Sequence, residues 1–138
     1  VGTGQEESKL RKLATALDLG RKTYFLGQRH DVQRILKQSN VYVQASIFEG
    51  MPNSLIEAMF AGCPVVASAV DGNLELIDHG LSGWLVEPKN PRQLAFAIDS
   101  ILSDPSQAAT LAANAKARIE KDYSEETMVL NWRRLLGI

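Results

Sequence analysis

Two spacings of apolar residues alternate along this chain. Short runs rich in β-branched residues, such as Val41-Tyr42-Val43 and Val65-Val66-Ala67, read as strands, and between them apolar residues recur every three or four positions, as helices require. Leu10, Leu13, Ala14 and Leu17 form the first helical stripe, stopped by Gly20 and expected to pack in the core, with Lys9, Arg11 and Lys12 on a solvated face. Tyr24-Phe25-Leu26 reads as a short strand ended by Gly27, followed by the polar loop Gln28-Arg29-His30. Asp31 is then a candidate cap for a helix that buries Val32, Ile35 and Leu36.

The centre of the pattern is residues 41–67. An apolar run from Val41 to Ala45 stops at a polar loop, a helical pattern opens near Pro52 or Asn53 and runs to Ala61, Gly62 ends it, and a second apolar run begins at Pro64. This predicts a strand, helix, strand unit with Glu49 in its loop and Glu57 one or two turns inside its helix. The unpaired N–H groups at such a helix start favour an anion such as phosphate. Eight residues span about 12 Å in a continuous helix, but Glu49 precedes the helix, so spacing alone does not fix the separation of the two carboxylates.

Further along, Val70-Asp71-Gly72-Asn73-Leu74-Glu75 leads into a short helix ending near His79-Gly80, with Glu75 expected to favour its positive end. Gly83-Trp84-Leu85-Val86 reads as the last strand. Asn90-Pro91-x-Gln93 supplies an N-cap, a proline at the first helical position and an amide that reaches back. Leu94, Ala95, Ile98, Ile101 and Leu102 are the expected buried stripe of that helix, which Asp104-Pro105 breaks. Leu111, Ala112, Ala115 and Ile119 continue in a second helix; Ser124 caps a third, with Met128, Trp132, Leu135 and Leu136 on one face. Strands alternating with amphipathic helices predict an α/β domain, a Rossmann-like parallel sheet with helices on both faces.

Composition narrows the function. With 138 residues the chain suffices for one domain with a real core, and neither its 45% hydrophobic content nor its formal charge of −1 suggests disorder or a nucleic-acid surface. No apolar run approaches the roughly 20 residues that cross a bilayer, and no signal-peptide pattern opens the chain. The one cysteine, Cys63, has no internal disulfide partner, in keeping with a cytoplasmic location, and reads as an inert packed thiol, with a reactive thiol as the alternative. His30 and His79 show no metal-ligand spacing, and no metal or other cofactor is expected. Val1-Gly2-Thr3-Gly4, without an initiator Met, is expected to be a strand tail turning into a helix; G-x-G lacking a third glycine reads as that turn rather than as a phosphate loop.

The residues around the two glutamates carry a resemblance. The run S-x-F-E-G-x-P-x-S-x-x-E-A-M-x-A-G-x-P-V-V-A, Ser46 to Ala67, resembles the E-x7-E motif of the retaining glycosyltransferases of family 4, which have the two-domain GT-B fold. The resemblance covers nearly the whole chain and implies that residues 1–138 are most of a C-terminal donor-binding domain, with the acceptor-binding N-terminal domain absent. It also implies a preceding strand and loop, bearing an Arg and a Lys for the diphosphate, whose absence would leave a gap in the middle of the sheet and expose apolar strand edges. The loop after Val70 departs from the family's G-G-x-P-E, with Asp71 for the first glycine and Leu74 for the proline.

By this resemblance the substrate is a nucleotide diphosphate sugar, UDP- or GDP-linked. The ribose lies at Glu57, the phosphates at the helix start along Gly50, Met51, Pro52, Asn53, Ser54 and Leu55, and the hexose toward Glu49, the catalytic residue. Gly27 and Gln28 would read the base edge with backbone groups, the alternative being an ordinary loop there. The implied activity moves a hexosyl group to an acceptor hydroxyl with retention. The acceptor, a sugar, a lipid-linked group or another hydroxyl, would be held by the other domain, and a full-length enzyme would be cytoplasmic or peripheral at the inner face of the membrane. A nucleotide-sugar 2-epimerase and a non-catalytic nucleotide-sugar-binding module are the alternatives.

Overall fold

A computed structural model describes residues 1–136 and divides the chain into two compact units, Val1–Val32 and the remainder from Gln33 onward. The first unit holds helix α1 (Glu7–Ala16) and reaches the start of α2 (Val32–Lys37). Here the apolar stripe does not become a core: α1 buries no residue, and Leu10, Leu13 and Leu17 are all about half exposed or more. A unit of this size has too little apolar surface to enclose a helix face. Lys9, Arg11 and Lys12 are exposed, as a solvated face requires, and the Arg11 guanidinium also lies 4.4 Å from the Phe25 ring centroid. Nor do residues 24–26 form a strand. They join no ladder among the described residues, and a three-residue extended segment without a paired neighbour is not stable. A hydrogen bond from Gly2 N–H to the Gly27 carbonyl, 2.7 Å, closes this unit's loop, and both Asp31 carboxylate oxygens accept from Arg29.

The second unit is the predicted α/β layer structure. Strands β1 (Tyr42–Gln44), β2 (Val65–Ser68) and β3 (Trp84–Val86) lie parallel in the order β1-β2-β3, with Tyr42 opposite Val65 and Val66 opposite Trp84. The central strand is buried at all four positions, and because successive side chains point to opposite faces, both faces of the sheet are covered. Helices α3 (Asn53–Phe60), α4 (Asp71–Leu76), α5 (Pro91–Ser103), α6 (Pro105–Asp122) and α7 (Glu125–Leu136) complete the unit. Val66, Val86, Ala97, Ile101, Ala108 and Leu111 form one continuous apolar cluster that joins β2, β3, α5 and α6.

Local sequence accounts for most boundaries. Helix α3 ends in a Schellman arrangement: Gly62 takes φ +73°, its N–H donates to the Met59 carbonyl, and the Cys63 N–H donates to the Ala58 carbonyl. Asn90 caps α5 by accepting from the Gln93 N–H at 3.0 Å, while the Gln93 side chain reaches back to the Glu87 N–H. Asp104 and Ser124 accept in the same way from the N–H of Gln107 and Thr127, and Pro105 stands at the first position of α6.

Two stripes differ from expectation. In α5 the buried line is Leu94, Ala97, Ile98 and Ile101, while Ala95 and Leu102 face outward. The true positions follow the i, i+3, i+4, i+7 rule, with Ala97 buried in the cluster that includes Val66 and Val86 of the sheet. In α7, Leu135 and Leu136 are exposed, and the side chains of Met128 and Trp132 lie outside the described residues. No helix among the described residues is long and apolar enough to cross a membrane.

Candidate functional site

Because the three strands are parallel, their carboxyl ends open on one edge, and the loops that leave them gather there. From β1 the chain runs through Ser46, Glu49 and Gly50 into α3; from β2 it runs through Ala69 and Val70 into α4. The two loops touch through a glycine. The Gly72 N–H donates to the Glu49 carbonyl at 3.1 Å, and a Cβ on Gly72 would lie 2.0 Å from the Gly50 carbonyl oxygen and 3.0 Å from that of Glu49. Only glycine permits that approach. Asn73, fully buried, anchors α4 by donating from Nδ2 to the Ser68 carbonyl at the end of β2.

Glu49 is half-buried and held by side chains: Gln44 Nε2 donates to its Oε1 at 2.9 Å and Ser46 Oγ to the same oxygen at 2.6 Å. Glu57, the fifth residue of α3, is exposed, so of the two acids the loop glutamate is the more enclosed. Tyr42 lies beside the start of α3. Its hydroxyl donates to Ser54 Oγ at 2.9 Å, and burial pushes the phenol above its ordinary pKa; the Ser54 contact opposes this, and the negative charges of Glu49 and Glu57 add to it. Both carboxylates therefore act on one phenol beside the first turn of α3.

The start of that helix offers fewer free donors than an ideal one. The Asn53 N–H is taken by the Met51 carbonyl and the Leu55 and Ile56 N–H groups by the Pro52 carbonyl, which leaves the Ser54 N–H without an acceptor among the described residues. Pro52 and Leu55 are buried, so Leu55, with its N–H used internally, underlies the site as packing; Gly50, Met51, Asn53 and Ser54 are exposed. Gly27 and Gln28 belong to the first unit, where Gly27 takes φ +63°.

Glu75 is not at a positive helix end. It is the fifth of the six residues of α4, whose first-turn acid is Asp71, and its carbonyl accepts from Arg118 Nη2 at 3.0 Å. His79 accepts at Nδ1 from the Leu85 N–H and stands edge-on to Trp84, while the described residues contain no group of three His, Cys, Asp or Glu placed to hold a metal. Sequence reasoning missed Tyr42, Gln44 and Gly72. The first two look like ordinary strand positions, and the third stands where the family's G-G-x-P-E has its second glycine, with nothing in the sequence to show what it packs against.

The fold is α/β and Rossmann-like, and its structural neighbours are GT-B glycosyltransferases. The family described as Glycosyl transferases group 1 matches residues 1–118, and the chain belongs to it. Among curated relatives, it is 31% identical over 137 residues to an uncharacterized glycosyltransferase of Haemophilus influenzae, covering 99% of this chain and 38% of that protein. It is 33% identical over 120 residues to the human alpha-1,3/1,6-mannosyltransferase ALG2, covering 86% of this chain and 29% of that one. Among solved structures it is similar to Anabaena Alr3699/HepE in complex with UDP-glucose, with a TM-score of 0.90 at 29% identity over 97% of this chain and 38% of that one. The chain thus spans well under half the length of these proteins.

Proposed function

We propose that this chain is the donor-binding domain of a retaining, family 4 glycosyltransferase that moves a hexosyl group from a UDP- or GDP-linked sugar to an acceptor hydroxyl, with Glu49 and Glu57 as its E-x7-E pair. The observation that carries this reading is that the two glutamates flank the first turn of α3, at the carboxyl edge of a parallel sheet. The similarity to a protein solved with UDP-glucose supports it.

In this reading Glu57 accepts hydroxyls of the ribose, the Ser54 N–H, which has no acceptor among the described residues, and the turn of Gly50, Met51, Pro52 and Asn53, exposed except at Pro52, meet the diphosphate, and Glu49 faces the hexose. Leu55 supports that turn from beneath. The bond from the anomeric carbon to the diphosphate breaks and the acceptor oxygen bonds to the same face of the sugar. The acceptor proton goes to the leaving phosphate oxygen. No side-chain nucleophile or metal takes part; positioning and stabilisation of the charge developing on the diphosphate supply the catalysis. The acceptor, a sugar or a lipid-linked group, is held elsewhere in the full-length enzyme, which works in the cytoplasm or at the inner membrane face.

Steady-state kinetics on the full-length enzyme test the assignment of ends. Glu57→Ala removes a contact to a part of the donor that does not change during reaction, so it raises the donor KM and spares kcat. Glu49→Ala removes a contact that tightens toward the transition state; a loss of about 3 kcal/mol would lower kcat by about two orders of magnitude. If Glu49→Ala leaves kcat within about threefold while donor binding collapses, the ends are reversed. If neither variant changes anything, the two acids are solvated surface groups and the reading fails.

A further inference from the structure

Gln44 closes β1, opposite Ala67 of the fully buried β2, and is itself only 8% exposed. A buried amide in such a place is costly unless both of its ends are bonded. Here one end is. Nε2 donates to Glu49 Oε1 at 2.9 Å, whereas Gln44 Oε1 has no partner among the described residues. Charge settles which way the amide points, because the reverse orientation would set a carbonyl oxygen against a carboxylate. A leucine or methionine would suit the strand and would remove the orphaned acceptor. What glutamine alone supplies is the donor to Glu49.

That donor has a directional effect. Gln44 and Ser46 both bond to Oε1 of Glu49, and Glu49 Oε2 accepts no hydrogen bond among the described residues. A carboxylate held by two donors on one oxygen cannot turn freely about its last torsion, so the other oxygen is presented in a fixed direction. We propose that Gln44 is a positioning residue for the transfer reaction: with Ser46 it pins one oxygen of Glu49 so that the other is offered to the sugar being transferred. The inference rests on the hexose-facing reading of Glu49. It makes Gln44 a residue that costs stability and contributes to rate.

A kinetic double-mutant cycle on the full-length enzyme tests this, using Gln44→Leu, Glu49→Ala and the pair, with Gln44→Met as a second replacement of similar length should leucine disturb folding. Expected are a fall in kcat of about tenfold or more for Gln44→Leu with donor KM within about twofold, and a melting midpoint equal to or above that of the wild type. In the Glu49→Ala background, Gln44→Leu should change kcat by less than about twofold, since its effect passes through Glu49. An equal fall in both backgrounds would overturn the proposal, as would a fall that both Gln44 replacements show only together with a lowered melting midpoint. If both replacements keep wild-type kcat while Glu49→Ala is impaired, the positioning role fails and the reading of Glu49 stands. A Glu49→Ala enzyme with unaltered kcat and KM would sink both.

Discussion

Burial removes the Cys63 thiol from ordinary thiol chemistry. The residue is 1% exposed, its Sγ faces the carbonyl oxygens of Ser39 and Pro64, and desolvation pushes its pKa up to about 11, only partly opposed by a backbone hydrogen bond from Tyr42. The fold therefore favours the protonated form. Stability from this group is fully present below the unfolded thiol pKa of about 8.5 and is lost as pH rises through the folded value. At pH 8 native protein should be alkylated by iodoacetamide far more slowly than protein in denaturant, as mass spectrometry would follow. Equal rates would restore the reactive-thiol alternative. The inert role was legible from a cysteine between a helix stop and an apolar run. The partners of Glu49 were not, because a glutamine and a serine reach it only after the loop has turned.

At the scale of elements, the meeting of the β1–α3 loop with the start of α4 sets the shape of the site. Gly72 is the point of closest approach, and its neighbours there are backbone carbonyls, which cannot swing aside as a side chain would. Gly72→Ala should destabilise by about 1–3 kcal/mol, read from urea unfolding, and should shift the loop that carries Glu49. Gly50→Ala is the contrast: its Cβ would meet nothing within 4 Å and its φ is not positive, so its cost should stay within about 0.5 kcal/mol. Similar costs for the two would show that the close approach is not needed. The motif around Gly72 departs from the family pattern on either side, yet the glycine that the packing requires is present.

Taken whole, the chain is uneven in how firmly it is held. β2 is buried throughout and paired on both sides, while α1 has no buried residue. Amide hydrogen exchange should therefore show residues 65–68 exchanging near the global unfolding free energy and residues 7–16 far more readily. Comparable protection in the two segments would contradict the exposure of α1.

What the sequence determined by itself is local. The periods of 2 and 3.6, the stop at Gly62, the break at Asp104-Pro105, the caps at Asn90 and Ser124, and the placement of Glu49 before a helix and Glu57 within it all depend on residues a few positions apart. Steric and hydrogen-bond rules act directly at that range. Tertiary structure decided the rest: that Leu10, Leu13 and Leu17 stay exposed, that residues 24–26 form no strand, that Ala97 rather than Ala95 faces the sheet, and that Gln44 and Gly72 meet Glu49 while Tyr42 meets Ser54. An amphipathic stripe says only that a face can be buried. Whether it is buried depends on a partner surface contributed from elsewhere in the chain, and no local spacing encodes that surface.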